Sequence, residues 1–269
     1  MLIGMDVHKH MVNITEMEDD GSVKKNYEIG NREEAWNTFV ERYSSIKPEI
    51  ALEQSTSGKY VAKFLRNKWF QVHLADPEKI ALVFHSPKKN DREDSYKLVE
   101  LLRLIELPEV HIPSEYSDEL KSLIRYRKSL GEEATAKKNK IHAILSLHGI
   151  TVDATDAFGR KGMREIEGSF KNMIENERII MDDMLKRIAD LLNREREIEN
   201  RIALAVKDDK RINLLMTIPG INVYSAAVII SEIDDISRFP TKENFASYAG
   251  LVPRQDQSGN RDIRGHITK

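Results

Sequence analysis

The sequence lacks cysteine altogether, has few aromatic residues (7%), and contains no apolar run near the roughly 20 residues that a membrane-spanning helix needs. The absence of cysteine excludes disulfides and thiolate-ligated metal sites, and it is compatible with a reducing cytosol. The N-terminal residues enter a strand-like segment directly, so we expect no signal peptide and a cytoplasmic protein without a membrane partner.

The chain is rich in charged residues of both signs. Its 42 Lys and Arg residues nearly balance 44 Asp and Glu residues, which gives a formal net charge of −2. This average points to no particular partner, so a nucleic acid would have to be bound by local basic patches. The 269 residues suffice for two modest domains, or for one domain with a long helical arm.

The first 110 residues alternate strand-like and helix-like patterns. Apolar or alternating segments at 2–7, 12–15 and 23–29 predict a three-stranded antiparallel meander. The segments that follow are predicted to be, in chain order, a helix capped by Asn31, a strand at 50–53, a helix at about 58–68, a strand at 72–75, a short helix after Pro77, a polar loop at 86–90 and a helix at about 91–106. This order predicts an α/β domain with a mixed sheet.

Two long helices are predicted at 114–147 and at about 169–206, joined by a glycine-containing connector at 149–168. Apolar residues spaced three and four apart in the second helix predict an antiparallel coiled-coil pair that can also join two protomers. The first helix is basic and could follow DNA or RNA phosphates, although most charge runs are solvated faces. The basic residues are Lys121, Arg125, Arg127, Lys128, Lys137, Lys138 and Lys140.

Residues 207–269 predict a small all-α unit. The turn at 218–222 resembles a helix-hairpin-helix, in which backbone N–H groups bind a phosphate. Gly220 and Asn222 are the candidate contacts, and Asn222, standing where Gly is usual, tolerates a left-handed φ. A plain helix-packing turn fits the same pattern. A further short helix is predicted at 241–248.

Four acidic residues stand at places that suit a metal site. Asp6 lies inside an apolar strand, Glu53 closes a second buried strand, and Asp91 and Asp94 are three apart at a predicted helix start. A buried carboxylate is costly unless it is paired or binds a cation, and hard divalent ions prefer oxygen ligands. Plainer roles stay open: helix-dipole partners at 91 and 94, a surface strand end at 53, and a salt bridge from Lys9 to Asp6.

In this order the motifs resemble those of the insertion sequence 110 family of DEDD transposases, over essentially the whole chain. The acidic motifs are matched by residues 4–9, by Leu52-Glu53 followed by Ser-Thr-Ser-Gly at 55–58, and by residues 89–95. The family more usually has Thr where Asn90 stands and Ala where Ser95 stands. The C-terminal signature is matched by residues 218–221, Phe239, residues 248–253, Ser258-Gly259 and residues 265–269.

The resemblance implies a ribonuclease H-like (RuvC-like) nuclease domain at 1–110, a helical coiled-coil arm at 111–206 and a C-terminal transposase domain at 207–269. It implies two Mg²⁺ ions held by Asp6, Glu53, Asp91 and Asp94, with Ser258 as a nucleophile. It also implies a prokaryotic protein that acts on DNA as a dimer or tetramer. A structured non-coding RNA would guide it, and the nuclease domain of one protomer would meet the serine of another.

Other interpretations stay open at this point. Residues 257–260 resemble a solvated turn, and without the resemblance Ser258 would not be singled out. The chain stops just after residues 265–269, where relatives continue, so we expect a truncated element or a fragment. A RuvC-like junction-resolving endonuclease would use the same acids without Ser258. A non-catalytic helical DNA-binding protein needs neither the acids nor Ser258. A sugar-kinase-like ATPase would need glycine-rich loops that the sequence does not offer.

Overall fold

The computed structural model describes residues 1–83, 91–258 and 261–267. They fall into two compact units, Met1–Ile112 and Pro113–Lys269. The structure does not describe the side chains of residues 91, 172 and 254–264. The polar loop predicted at 86–90 also falls outside it.

The first unit is built on a six-stranded mixed sheet with the order β3-β2-β1-β4-β5-β6. The strands are β1 (Leu2–Val7), β2 (Met11–Met17), β3 (Val23–Gly30), β4 (Glu49–Glu53), β5 (Val72–Ala75) and β6 (Glu109–Val110). β1, β2 and β3 pair antiparallel, which confirms the predicted meander, while β1, β4 and β5 run parallel. This mixed sheet is compatible with the ribonuclease H-like fold.

Four helices in the described part of the first unit complete it: α1 (Glu33–Tyr43), α2 (Thr56–Asn67), α3 (Pro77–Val83) and α4 (Asp91–Arg103). Successive strand residues point to opposite faces of a sheet. On one face, Met5 and Leu52 pack with α1 and α2. On the other face, Ala51 packs with Leu98 and Leu102 of α4. The sheet is therefore covered on both sides, and Ile80 of α3 joins α4 on the second face.

Asn31 does not cap α1, contrary to the prediction from sequence. The helix begins after Arg32, which makes no side-chain capping bond. The Asn31 side chain instead donates to the His8 carbonyl and accepts from the indole N–H of Trp36. It therefore ties the start of α1 to the β1–β2 turn, a tertiary role that local spacing does not reveal.

A buried acid lies on the α1 face of the sheet. The Glu16 carboxylate of β2 is buried, accepts a hydrogen bond from the Tyr43 hydroxyl, and lies 3.1 Å from the Arg42 guanidinium. The Tyr27 hydroxyl lies 3.0 Å from that of Tyr43. Burial and then the bond to Glu16 raise the pKa of Tyr43 well above its ordinary value. Tyr43 therefore remains a proton donor, and the acid is fully paired.

Three helices of the first unit end in a left-handed residue that is not glycine: Lys47 (φ 46°), Trp69 (φ 67°) and Ile105 (φ 60°). After α4, the N–H groups of Ile105 and Glu106 donate back to helix carbonyls at 3.1 and 3.0 Å. This pattern favours glycine, because a β-branched side chain is strained at positive φ. The Ile105 side chain is 94% exposed, so little packing offsets the strain.

Replacing Ile105 by glycine should therefore stabilise the protein by about 1 kcal/mol, because strain is released and almost no buried surface is lost. Denaturant unfolding measures the change. The control is Leu104→Gly, one residue earlier at a position without positive φ, which should destabilise by a similar amount. Equal destabilisation by Ile105→Gly and Leu104→Gly would contradict the backbone strain assigned to Ile105.

The second unit is dominated by α5 (Glu115–Leu147) and α7 (Glu175–Ala205), which confirms both predicted long helices. Ile124 near the start of α5 packs with Ile202 near the end of α7, while Leu145 packs with Met181. The two helices are therefore antiparallel. The predicted connector contains α6 (Arg160–Ser169), and a 3-10 turn precedes α7. Joining of two protomers through this pair stays a prediction.

The C-terminal part contains α8 (Lys210–Met216), α9 (Val223–Ile233), α10 (Lys242–Tyr248), β7 (Pro253–Ser258) and β8 (Arg261–Ile267). β7 and β8 form an antiparallel hairpin, so the all-α prediction is wrong there. The β7 sequence is almost wholly polar, which hides a strand from a search for alternation. Residues of α8 and α9 share one core with α5 and α7, and the predicted boundary at 206/207 falls within it.

No helix in the described ranges is both long and apolar enough to cross a bilayer.

Candidate active site

Asp6 and Glu53 leave neighbouring parallel strands at the same edge of the sheet. Met5 is paired with Leu52 in the β1–β4 register, and each is followed by one of the two acids. Adjacent strands are roughly 4.8 Å apart. Because Met5 and Leu52 face α1 and α2, alternation directs Asp6 and Glu53 to the face that carries α4.

Asp6 is a buried carboxylate with a histidine beside it. The residue is 9% exposed, and its Oδ2 lies 3.1 Å from Nε2 of His8. The sequence suggested Lys9 as a salt-bridge partner, whereas the structure pairs Asp6 with His8. A carboxylate buried in an otherwise apolar strand needs a polar or cationic partner, and a divalent ion would meet the same need.

Gly4 lets α4 lie directly on β1. A Cβ atom at Gly4 would stand 2.0 Å from the Ser95 carbonyl oxygen and 2.8 Å from the Val99 nitrogen. The helix therefore contacts β1 two residues before Asp6. Its first turn, which begins at Asp91, consequently lies toward the edge where Asp6 and Glu53 emerge.

Asp94 is the third acid whose side chain is described. It is partly buried, and its Oδ1 accepts from the Lys97 ammonium at 2.8 Å. Asp91 is the first residue of α4, but its side chain lies outside the described residues. Sequence and fold thus bring two strand ends and one helix start to a common edge.

The donor set suits a hard divalent cation. Carboxylate oxygens are the ligands that Mg²⁺ takes from proteins. Among the described side chains, which leave out Asp91, no three His, Asp or Glu stand close enough to hold a metal ion together. The His8 imidazole lies against Asp6, and the Lys97 ammonium lies against Asp94. The site thus has the right chemistry, with nitrogen-bearing side chains against two of its acids.

Ser55 and Gly58 belong to the second acidic motif, and the sequence assigned them no role. The Ser55 hydroxyl accepts from the Gly58 N–H at 2.9 Å and caps α2. A Cβ atom at Gly58 would stand 2.3 Å from the Glu53 carbonyl oxygen. The pair therefore lets α2 begin immediately beside the end of β4, which fixes the backbone that carries Glu53.

The basic residues of α5 divide into inward and outward groups. Lys121 is 9% exposed and lies 3.2 Å from Glu232. Arg127 pairs with Glu195 and Glu199 at 2.8 and 2.6 Å. These two residues hold helices together, which leaves little of either side chain for a phosphate.

The remaining five basic residues of α5 are more accessible. Lys138 and Lys137 are half-buried, and the Lys138 ammonium lies over the Phe158 ring. The side chains that reach solvent are those of Arg125, Lys128 and Lys140. Contact with a nucleic acid stays a prediction for this group.

The turn between α8 and α9 is exposed. Gly220 has φ 89°, and Asn222 has φ −97° with its side chain accepting from the Ser225 N–H at 2.8 Å. The left-handed residue is therefore Gly220, and the left-handed conformation considered for Asn222 is wrong. Asn222 is the N-cap of α9, and binding of a phosphate by this turn stays a prediction.

Ser258 is the last residue of β7 and is paired with Arg261 of β8. Its side chain and residues 259–260 lie outside the described part of the chain. Ser258 belongs to the second unit, whereas all four acids belong to the first.

Two family models match the chain. One, described as a transposase and named for the DEDD class of IS110, matches residues 3–150. The other, described as the transposase IS116/IS110/IS902 family, matches residues 212–269. The first match covers more than half of the chain and contains all four acids, and the second contains Ser258.

Curated relatives align at low identity. The transposase for insertion sequence element IS1111A of Coxiella burnetii is 22% identical over 100% of this chain and 72% of its own length. A probable family 20 transposase of Pseudomonas aeruginosa is 26% identical over 82% of this chain and 65% of its own length. A pilin gene-inverting protein of Moraxella bovis is 35% identical over 29% of this chain and 24% of its own length. The two transposases are therefore longer than this chain.

Proposed function

The chain belongs to the IS110 family of transposases, and from this membership we propose that it cuts and rejoins the DNA strands of a mobile element in a prokaryotic cytoplasm. One structural observation supports the proposal most directly: Asp6 and Glu53 emerge side by side from parallel strands, on the face where α4 begins. A relative named as a pilin gene-inverting protein is in keeping with recombination as the reaction type.

We further propose that Asp6, Glu53, Asp91 and Asp94 hold two Mg²⁺ ions. When bound, such ions stabilise negative charge on the attacking and leaving oxygens of a phosphodiester. The carboxylates supply the oxygen ligands, and the packing of α4 on β1 together with the pairing of β1 and β4 keeps the three elements that carry them in fixed register. The buried setting of Asp6 limits competition from water.

Ser258 is the proposed nucleophile. Its hydroxyl gives up a proton as Oγ forms a bond to a DNA phosphorus, and the bond from phosphorus to one strand-end oxygen breaks. That strand end leaves as a hydroxyl after taking up a proton. Attack of a DNA hydroxyl on the phosphoserine reverses these steps and rejoins the DNA, so the phosphodiester energy is retained.

A structured non-coding RNA and a second protomer are the proposed partners. The solvent-facing cations Arg125, Lys128 and Lys140 offer phosphate contacts along α5. The acids and Ser258 lie in different units, which allows one protomer to supply the acids and another the serine. We propose a dimer or tetramer joined through α5 and α7.

Replacement of Ser258 by alanine tests the nucleophile. The variant should lose the covalent protein–DNA adduct seen on denaturing gels by at least about a thousandfold, because alanine has no oxygen to bond to phosphorus. Ser247→Ala, an exposed serine of α10, is the control and should form the adduct normally. Strand cleavage that persists in Ser258→Ala without an adduct would favour a junction-resolving endonuclease.

A further inference from the structure

A buried series of hydrogen bonds joins α4 to the antiparallel part of the sheet. Thr15 of β2 and Ser95 of α4 are both buried, and their hydroxyl oxygens lie 2.8 Å apart. Thr15 Oγ1 accepts from the Asn26 amide of β3 at 2.7 Å. Ser95 Oγ donates to the Arg92 carbonyl in the first turn of α4 at 3.1 Å. Either hydroxyl of the Thr15–Ser95 pair can donate to the other.

The same set of polar groups reaches the neighbour of Asp6. Asn13 is paired with Asp6 across the β1–β2 ladder, so their side chains share a face. The Asn13 Oδ1 lies 3.5 Å from Ser95 Oγ, and its amide donates to Glu28 of β3 at 3.1 Å. The set therefore contacts the strand beside Asp6 and the helix that carries Asp94.

These hydrogen bonds restrict the rotation and sliding of α4, which its apolar contacts do not. Gly4 permits a close approach, and Leu98 and Leu102 hold the helix down, but apolar contacts are non-directional and tolerate rotation and sliding. A hydrogen bond is directional. Ser95 directly follows Asp94, so the bond that orients Ser95 also limits the direction in which the Asp94 carboxylate projects.

We propose that Thr15 is a positioning residue for the metal site, acting through Ser95 to set the rotation of α4 and hence the placement of its acids relative to Asp6 and Glu53. The inference rests on the proposed function, because it requires that these acids bind a divalent ion. Residues that orient metal ligands in this way typically change metal affinity by about 10- to 100-fold when they are replaced.

The first test is Thr15→Val, which keeps the side-chain shape and removes the hydroxyl. Calorimetric titration of the full chain with MgCl₂ should show an affinity about tenfold weaker than that of the wild type, while Thr15→Ser should bind Mg²⁺ within about twofold of the wild type. The control is Tyr43→Phe, which removes a buried hydroxyl that contacts β2 on the opposite face. It should leave Mg²⁺ affinity unchanged even if it lowers stability.

A double-mutant cycle separates positioning from a general loss of stability. Ser95→Ala should weaken Mg²⁺ binding as Thr15→Val does, and adding Thr15→Val to Ser95→Ala should weaken it no further. If Thr15→Val does not fold, the Mg²⁺ affinity of Ser95→Ala alone tests the positioning role.

Three outcomes would overturn the inference. Unchanged Mg²⁺ affinity in folded Thr15→Val or in Ser95→Ala would do so, and so would independent, additive losses in the cycle. A wild-type chain that binds no Mg²⁺ would remove the proposed metal site itself, and the inference with it. If the wild type binds Mg²⁺ and the single variants bind it with the same affinity, only the positioning role of Thr15 is removed.

Discussion

Replacing Asp6 by asparagine is expected to lower the rate of DNA strand cleavage by about a thousandfold or more, with the fold intact. The amide has nearly the same shape but carries no negative charge, so it is a poor ligand for a hard divalent ion. Because Glu53 projects from the next strand on the same face, removal of one charge also relieves repulsion between acids. The unfolding midpoint should therefore equal or exceed that of the wild type.

Asp19→Asn is the matched control for this variant. Asp19 lies in the same unit, its side chain is 82% exposed, and it pairs with the N-terminal amine. It should cleave DNA at the wild-type rate. Full cleavage by Asp6→Asn would show that Asp6 is not part of the catalytic site, and loss of cleavage only through unfolding would assign Asp6 a purely structural role.

The second large effect is expected at Gly4. The Cβ of alanine would stand 2.0 Å from the Ser95 carbonyl oxygen, so α4 must move away from β1. Displacing packed backbone in this way should destabilise the first unit by about 2–4 kcal/mol. Cleavage should fall further than the loss of folded protein explains, because α4 carries Asp91 and Asp94.

Gly168→Ala provides the comparison. Gly168 is a helical glycine of α6, and a Cβ there would meet nothing within 4 Å. Alanine should stabilise this helix by up to about 1 kcal/mol and leave cleavage unchanged. Urea unfolding and cleavage by the folded fraction measure both effects. A Gly4→Ala chain as stable and as active as the wild type would contradict the close packing of α4 on β1.

Much of the acidic site could be predicted from sequence because its signals are local. Asp6 lies inside one apolar run and Glu53 ends another, and such runs mark buried strands whatever their partners are. A helix over α4 (Asp91–Arg103) was likewise predicted from the sequence. Their convergence follows from the parallel pairing of β1 with β4, which the strand–helix–strand order favours.

The parts that sequence did not predict depend on contacts between distant residues. The Thr15–Ser95 bond joins positions 80 apart, and neither residue stands out locally. Lys121 resembles the other basic residues of α5, and its burial depends on α9, which brings Glu232 to it. β7 is almost wholly polar and β8 carries two isoleucines without strict alternation, so the hairpin is recognised only from the pairing of its strands.

The most direct measurement is the anomalous diffraction of crystals soaked in MnCl₂ under conditions in which the chain cleaves DNA. We expect one or two Mn²⁺ peaks at the edge where β1 and β4 end, with oxygens of Asp6, Glu53 and Asp94 within about 2.2 Å of the metal. Cleavage-competent crystals without a peak at this edge, or with Mn²⁺ bound only elsewhere, would show that these acids do not form the catalytic centre.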